Sequence, residues 1–172
     1  MKNNPSLQNI VRFVALMLLQ VVVFNNVSLW GYVIPMVYVL FILMLPTGLG
    51  RIPMLLIAFA TGLTADIFCN MLGFHACACL VVAMCRILFA DKILTRNEAV
   101  EIETPSLHVV APQYFVGYLL LMLMVFYLVF FSLEMFDFRG FWQVLLASIL
   151  STLVTAVIAV LYQIVFLKPK KQ

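Results

Sequence analysis

The sequence predicts an all-α membrane protein: a six-transmembrane-helix bundle that forms a single domain over residues 1–172. Hydrophobic residues make up 66% of the chain and charged residues only 10%, and the mean hydropathy is +1.16. A soluble domain of this length cannot bury that much apolar surface. The apolar residues also fall into runs that approach the roughly 20 residues a helix needs to cross a bilayer.

Six apolar segments follow one another along the chain. They are predicted at residues 7–24, 29–45, 53–74, 75–90, 113–133 and 141–167. The second segment is short and contains Pro35 and Pro46, so we expect it to be tilted, kinked or incompletely spanning. Gly73 marks the break between the third and fourth segments. The polar stretch 91–112 is predicted to be a cytoplasmic loop.

The basic residues predict the orientation. If the N-terminus is cytoplasmic, nine of the ten basic residues lie at cytoplasmic ends of segments, and Arg139 alone lies on the other side. Basic residues collect on the cytoplasmic side of membrane proteins, so this bias favours six spans with both termini in the cytoplasm. The nine are Lys2, Arg12, Arg51, Arg86, Lys92, Arg96, Lys168, Lys170 and Lys171. Because the charge lies at segment ends rather than in one patch, we expect no nucleic-acid partner.

Asp66 is an acidic residue in the middle of the third apolar segment. A carboxylate at that depth is disfavoured by roughly 3 kcal/mol or more. Small and polar residues at spacings of three and four put Asp66 on a face that points into the bundle. The sequence leaves two main roles open, a structural hydrogen bond that locks helix packing and a binding site for a partner helix or small ligand. The residues that share this face are Ala58, Thr61, Gly62, Ala65 and Cys69.

Depth in the membrane suggests a contact for Asp66. At about 1.5 Å rise per residue, Gln20 lies at about the same depth as Asp66 and is the favoured internal contact. Arg86 lies near the cytoplasmic end of its helix and is a poor direct partner. His75 can reach Asp66 only if the break at Gly73 bends inward.

The fifth segment is rich in aromatic residues, and the sixth carries small and polar residues on one face. The aromatic residues of the fifth segment are attributed mostly to anchoring at the membrane interfaces. The sixth segment carries a second stripe of small and polar residues, which includes Ser148, Ser151, Thr152, Thr155 and Gln163.

Enzymatic chemistry is not expected. An intramembrane aspartyl protease needs two carboxylates in one site, and a serine hydrolase needs a base beside its serine, but neither pattern is present in the sequence. The four cysteines lie in apolar segments without the spacing of a disulfide framework or a zinc site, and His75 alone favours capping or packing. We therefore predict no catalytic residues, no metal and no cofactor.

The third-helix pattern Gly62-Leu63-x-x-Asp66, followed by Gly73-x-His75-Ala76, resembles the bacterial rod shape-determining protein MreD family. The layout of short helices with cytoplasmic termini is also similar over nearly the whole chain. The resemblance makes Gly62, Asp66, Gly73 and His75 the motif residues. It implies a fold similar to the substrate-binding subunits of energy-coupling-factor vitamin transporters.

The resemblance also implies a function and a set of partners. MreD proteins are non-enzymatic subunits of the elongasome in the bacterial cytoplasmic (inner) membrane, where they help direct peptidoglycan synthesis and rod cell shape. They act with the single-pass protein MreC and, through it, with actin-like MreB, a class B penicillin-binding transpeptidase and the RodA glycosyltransferase. We expect the Asp66 face to receive either an internal helix or the membrane helix of MreC, with membrane lipids around the bundle.

The alternative function is that of a small-molecule, vitamin-type substrate-binding subunit of a membrane transporter. Such a subunit needs a polar or aromatic pocket that opens to the outside. The external charges in this sequence are limited to Glu134, Asp137 and Arg139, which are few for the capture of a hydrophilic vitamin. The scaffold is therefore the preferred interpretation.

Overall fold

The computed structural model describes residues 5–24, 33–46, 48–94, 105, 112–135 and 141–166. These residues form six helices, and the predicted all-α fold is confirmed for this part of the chain. The helices are α1 (Pro5–Val22), α2 (Val39–Leu43), α3 (Arg51–Cys69), α4 (Phe74–Leu94), α5 (Pro112–Met135) and α6 (Phe141–Phe166).

Three of these helices are long and apolar enough to cross a membrane, which indicates a membrane protein. They span Arg51–Cys69, Pro112–Met135 and Phe141–Val165. The apolar stretches Asn9–Val22 of α1 and Phe74–Leu88 of α4 are shorter. In sequence order α3 packs against α4, α4 against α5 and α5 against α6.

The second predicted segment is not a continuous helix. Of the predicted range 29–45, residues 29–32 lie outside the described residues, and α2 covers only Val39–Leu43. Pro35 has no N–H, and it disfavours helical geometry at Ile34, so the chain before α2 is irregular. The structure is therefore closer to the expected kinked or incomplete span than to a helix over residues 29–45.

Residues 33–45, hereafter the buried segment, lie in the centre of the bundle. All of them except Ile34 are buried, and α2 itself is fully enclosed. Irregular main chain at membrane depth is tolerated only where protein groups or enclosed water satisfy its N–H and C=O groups. The rest of the bundle must therefore supply hydrogen bonds to this segment.

The third predicted segment, 53–74, extends beyond the observed helix, because α3 ends at Cys69, five residues before Phe74. Asn70 adopts a left-handed conformation (φ 54°) directly after α3, and Gly73 has a φ of +89°. These two residues reverse the chain so that α4 can begin at Phe74, as the predicted break at Gly73 implied. This tight reversal places the start of α4 beside the last turns of α3.

The aromatic residues of α5 form part of the core rather than an interfacial belt. Phe126 and Phe130 stack with their ring centroids 6.2 Å apart, and Tyr127 stacks on Phe131. All four are buried. The attribution of these residues to interface anchoring is therefore wrong, because α5 packs between α4 and α6 and presents them to the core.

Candidate functional site

The carboxylate of Asp66 caps the first turn of α4. Its Oδ1 accepts a hydrogen bond from the N–H of His75 at 3.1 Å, and its Oδ2 accepts one from the N–H of Ala76 at 2.9 Å. Amides at the start of a helix have no partner within the helix, and Gly73 has no side chain with which to cap them. The positive end of the helix dipole also stabilises an anion there. Asp66, 2% exposed, thus supplies the cap from the neighbouring helix.

Gly62 lies one turn before Asp66 and lets α3 and α4 come close enough for this cap. A Cβ atom at Gly62 would lie 2.5 Å from Cα of Ala76 and 2.6 Å from the carbonyl oxygen of His75. Both neighbours are main-chain atoms and cannot rotate away. The spacing Gly62-x-x-x-Asp66 therefore combines a close-contact position with the cap that it permits. The Asp66 face receives an internal helix, α4, which was one of the two expected occupants.

His75 connects this junction to the buried segment and to α5. Its Nδ1 lies 2.7 Å from the hydroxyl oxygen of Tyr38, and its ring packs against Phe130 with centroids 4.6 Å apart. His75 is 2% exposed. The bend at Gly73 therefore does bring His75 to Asp66, through the main-chain N–H rather than the imidazole ring.

The predicted contact between Gln20 and Asp66 is wrong. The Gln20 Nε2 donates to the carbonyl oxygen of Pro35 at 3.1 Å, and its Oε1 accepts from the N–H of Val37 at 2.7 Å. Depth alone could not reveal this, because it gives the height of a residue and not the element beside it. The side-chain amide of Gln20 thus supplies a donor and an acceptor to the irregular part of the buried segment, as a neighbouring main chain would.

Arg86, 1% exposed, supplies the hydrogen bonds at the other end of the buried segment. Its guanidinium donates to the carbonyl oxygens of Ile42 and Leu45. These carbonyls lie at the C-terminal end of α2, where a cation is favoured by the helix dipole. As predicted from depth, Arg86 does not serve as the partner of Asp66.

Polar groups of α5 and α6 complete the support of the buried segment. The Tyr127 hydroxyl accepts from the N–H of Met36 at 2.8 Å and donates to the carbonyl oxygen of Ile34 at 2.9 Å. Ser151 Oγ accepts from the N–H of Ile34 at 3.3 Å. Thr155 Oγ1 lies 2.5 Å from the Tyr127 hydroxyl. Sequence reasoning missed these roles, although Pro35 and the stripe on α6 were the signals that could have indicated them.

We expect the variant Asp66→Ala to lower the amount of folded protein in the membrane. It removes both acceptors and leaves two buried N–H groups unpaired, each at a cost of about 1–3 kcal/mol. Asp66→Asn keeps one acceptor but turns an NH₂ group toward an amide N–H. The loss of folded protein should therefore be smaller for Asp66→Asn than for Asp66→Ala. The midpoint of SDS-induced unfolding of the purified protein in micelles measures both changes.

Thr64→Ala is a matched control for the Asp66 variants. The Thr64 hydroxyl donates only within α3, to the carbonyl oxygen of Ala60 at 2.7 Å, so this change should leave the midpoint nearly unaltered. Normal accumulation and a normal midpoint of Asp66→Ala, combined with loss of a partner protein, would contradict the structural role.

The chemistry available at this junction is that of hydrogen bonding. Both oxygens of Asp66 are engaged with amides, and across the described ranges no group of three or more His, Cys, Asp or Glu residues could hold a metal ion. Gly62, Asp66, Gly73 and His75 all lie at the α3–α4 junction, whereas Gln20 and Arg86 hold the buried segment. No protein-family model, curated protein or solved structure matches this chain.

Proposed function

We propose that this protein is a non-enzymatic membrane scaffold of the bacterial cell-wall elongation complex, similar to MreD, which binds MreC and helps direct peptidoglycan synthesis and rod shape. The observation that carries the proposal is the convergence of the four motif residues on one junction. Gly62 gives the close approach, Asp66 the cap, Gly73 the reversal (φ +89°) and His75 the capped N–H. A motif that builds a rigid junction is suited to a protein that presents surfaces to partners.

The use of the polar side chains supports a scaffold over an enzyme. Gln20, Arg86 and Tyr127 direct their hydrogen bonds at the main chain of the buried segment. These groups therefore serve to stabilise one arrangement of the bundle. In the proposed topology, the chain has six segments in the bacterial inner membrane, and both of its termini lie in the cytoplasm. The protein interacts with MreB, the transpeptidase and RodA indirectly, through MreC.

A lateral groove between α1 and α3 is the surface that we assign to the membrane helix of MreC. It has a volume of about 400 Å³ and is floored by the buried segment; its apolar lining includes Ile10, Phe13, Phe41, Leu45, Ile57 and Ala60. Ile10 is 59% exposed, and Ala60 is also exposed, so the groove opens at the surface of the bundle. A small residue such as Ala60 allows the close approach by which membrane helices associate. A single-pass partner supplies one apolar helix of about 20 residues.

We expect Ala60→Trp to abolish co-purification with MreC. The indole would fill the groove where the partner helix is proposed to lie, while the exposed position leaves the core of the bundle unchanged. The experiment expresses the tagged protein with the MreC encoded in the same genome and measures the MreC recovered per tagged protein from solubilised membranes.

Leu63→Trp is the control, because Leu63 is 42% exposed on the same helix but does not line the groove. Recovery of MreC should fall at least tenfold with Ala60→Trp and stay normal with Leu63→Trp, at equal membrane levels of the tagged protein. Equal recovery with both variants would reject the groove. Failure of the unaltered protein to recover MreC would reject the proposed function.

A further inference from the structure

A second cavity lies beside the α3–α4 junction, where His75 forms part of its wall. Its volume is about 360 Å³, and His75, Gln20 and Cys69 contribute to its lining. Phe68, which is 53% exposed, also lines it, so the cavity opens at the surface near the end of α3. Ligand sites in proteins commonly have volumes of about 300–1,000 Å³. The size is therefore sufficient for one small molecule.

The ring of His75 is fixed in place with one nitrogen available to this cavity. Its Nδ1 is engaged with the Tyr38 hydroxyl at 2.7 Å, and its ring is packed on Phe130. No hydrogen bond among the described residues uses Nε2. Nε2 is not among the fully buried polar atoms that lack a partner, so it is accessible and can make a hydrogen bond to a molecule in the cavity.

The remaining lining limits the chemistry of that partner. No charged side chain of the described residues lines the cavity, so a charged ligand would find no counter-ion there. Most of the wall is apolar and is provided by Ile34, Met36, Phe68, Met71 and Phe130. The amide of Gln20 already makes two hydrogen bonds to the buried segment. The Nε2 atom of His75 is therefore the principal group that can orient a ligand in the cavity.

We infer that this cavity binds a small neutral molecule with an apolar body and one hydroxyl group, which pairs with Nε2 of His75. A hydroxyl can donate or accept, so it matches either tautomer that the Tyr38 contact selects. The apolar body replaces contact with lipid or water by contact with the five apolar side chains. This site is separate from the lateral groove and does not depend on the partner assigned to it.

The test uses azioctanol, an octanol that carries a photoreactive diazirine, on the purified full-length protein in micelles. We expect saturable labelling of the Phe68–Met71 peptide, which excess octanol competes away. Cys69→Trp fills the cavity and should abolish the saturable labelling. Cys77→Trp makes the same change at an exposed cysteine that does not line the cavity and should leave labelling intact.

His75→Phe tests the orienting hydrogen bond at nearly constant ring size. It should raise the azioctanol concentration for half-saturation about fivefold to tenfold. The same diazirine on octane, without the hydroxyl, should bind this variant and the unaltered protein alike. Labelling that does not saturate, or that is equal in Cys69→Trp and Cys77→Trp, would overturn the inference, as would a cavity that holds water alone and takes up no label.

Discussion

Arg86→Met should destabilise the protein strongly, because the guanidinium of Arg86 binds the main chain at the C-terminal end of α2. The change removes two charge-assisted hydrogen bonds and leaves the carbonyl oxygens of Ile42 and Leu45 buried without these donors. Hydrogen bonds to charged groups contribute about 1.5–3 kcal/mol each, so a loss of about 3 kcal/mol or more is expected. The measurement is the SDS-induced unfolding midpoint in micelles, together with the yield of monodisperse protein.

Arg51→Met provides the matched control for Arg86→Met. Arg51 is exposed at the start of α3, so its replacement should change the unfolding midpoint little. Arg86→Lys should lie between Arg86→Met and the unaltered protein, because a single ammonium group cannot reproduce the planar fork of the guanidinium. An Arg86→Met variant as stable as Arg51→Met would show that the C-terminal end of α2 does not depend on Arg86.

Gly62→Ala should destabilise the protein although alanine is the better helix former. The added methyl group would lie 2.5 Å from Cα of Ala76, so α3 and α4 must move apart. Overpacking of this kind costs about 1–3 kcal/mol, and here it also lengthens the hydrogen bonds from His75 and Ala76 to Asp66. The expected result is a lower unfolding midpoint and faster proteolysis between α3 and α4.

Gly117→Ala makes the same chemical change in α5, where a Cβ atom would meet nothing within 4 Å. It should be neutral or stabilising, by up to about 1 kcal/mol, because glycine is a poor residue in a helix interior. The opposite signs of the two glycine substitutions would identify close helix contact as the cause. A stabilising Gly62→Ala would contradict the packing described for the α3–α4 junction.

The membrane class and the inward orientation of Asp66 could be predicted because hydropathy and the spacing of small residues are local properties of the sequence. The partner of Asp66 could not. Its hydrogen bonds to His75 and Ala76 depend on how the left-handed Asn70 and Gly73 turn the chain. Depth matching placed Gln20 at a suitable height but could not show that it would be bound to Pro35 and Val37 instead.

The second segment shows a further limit of hydropathy. An apolar stretch signals burial, but it does not distinguish a helix from irregular chain that is enclosed by other helices. Pro35 indicated that helical geometry would fail at this point. The replacement hydrogen bonds come from residues far away in sequence, such as Tyr127 and Ser151, so no local pattern could identify them.

These distant contacts have a consequence for biosynthesis. The buried segment leaves the ribosome before Arg86, Tyr127 and Ser151 have been made, yet its main chain depends on hydrogen bonds from all three. It therefore cannot reach its native conformation when it first enters the membrane. The segment can complete these hydrogen bonds only after α6 has been synthesised, so until then water or the insertion machinery must satisfy the polar groups of its main chain.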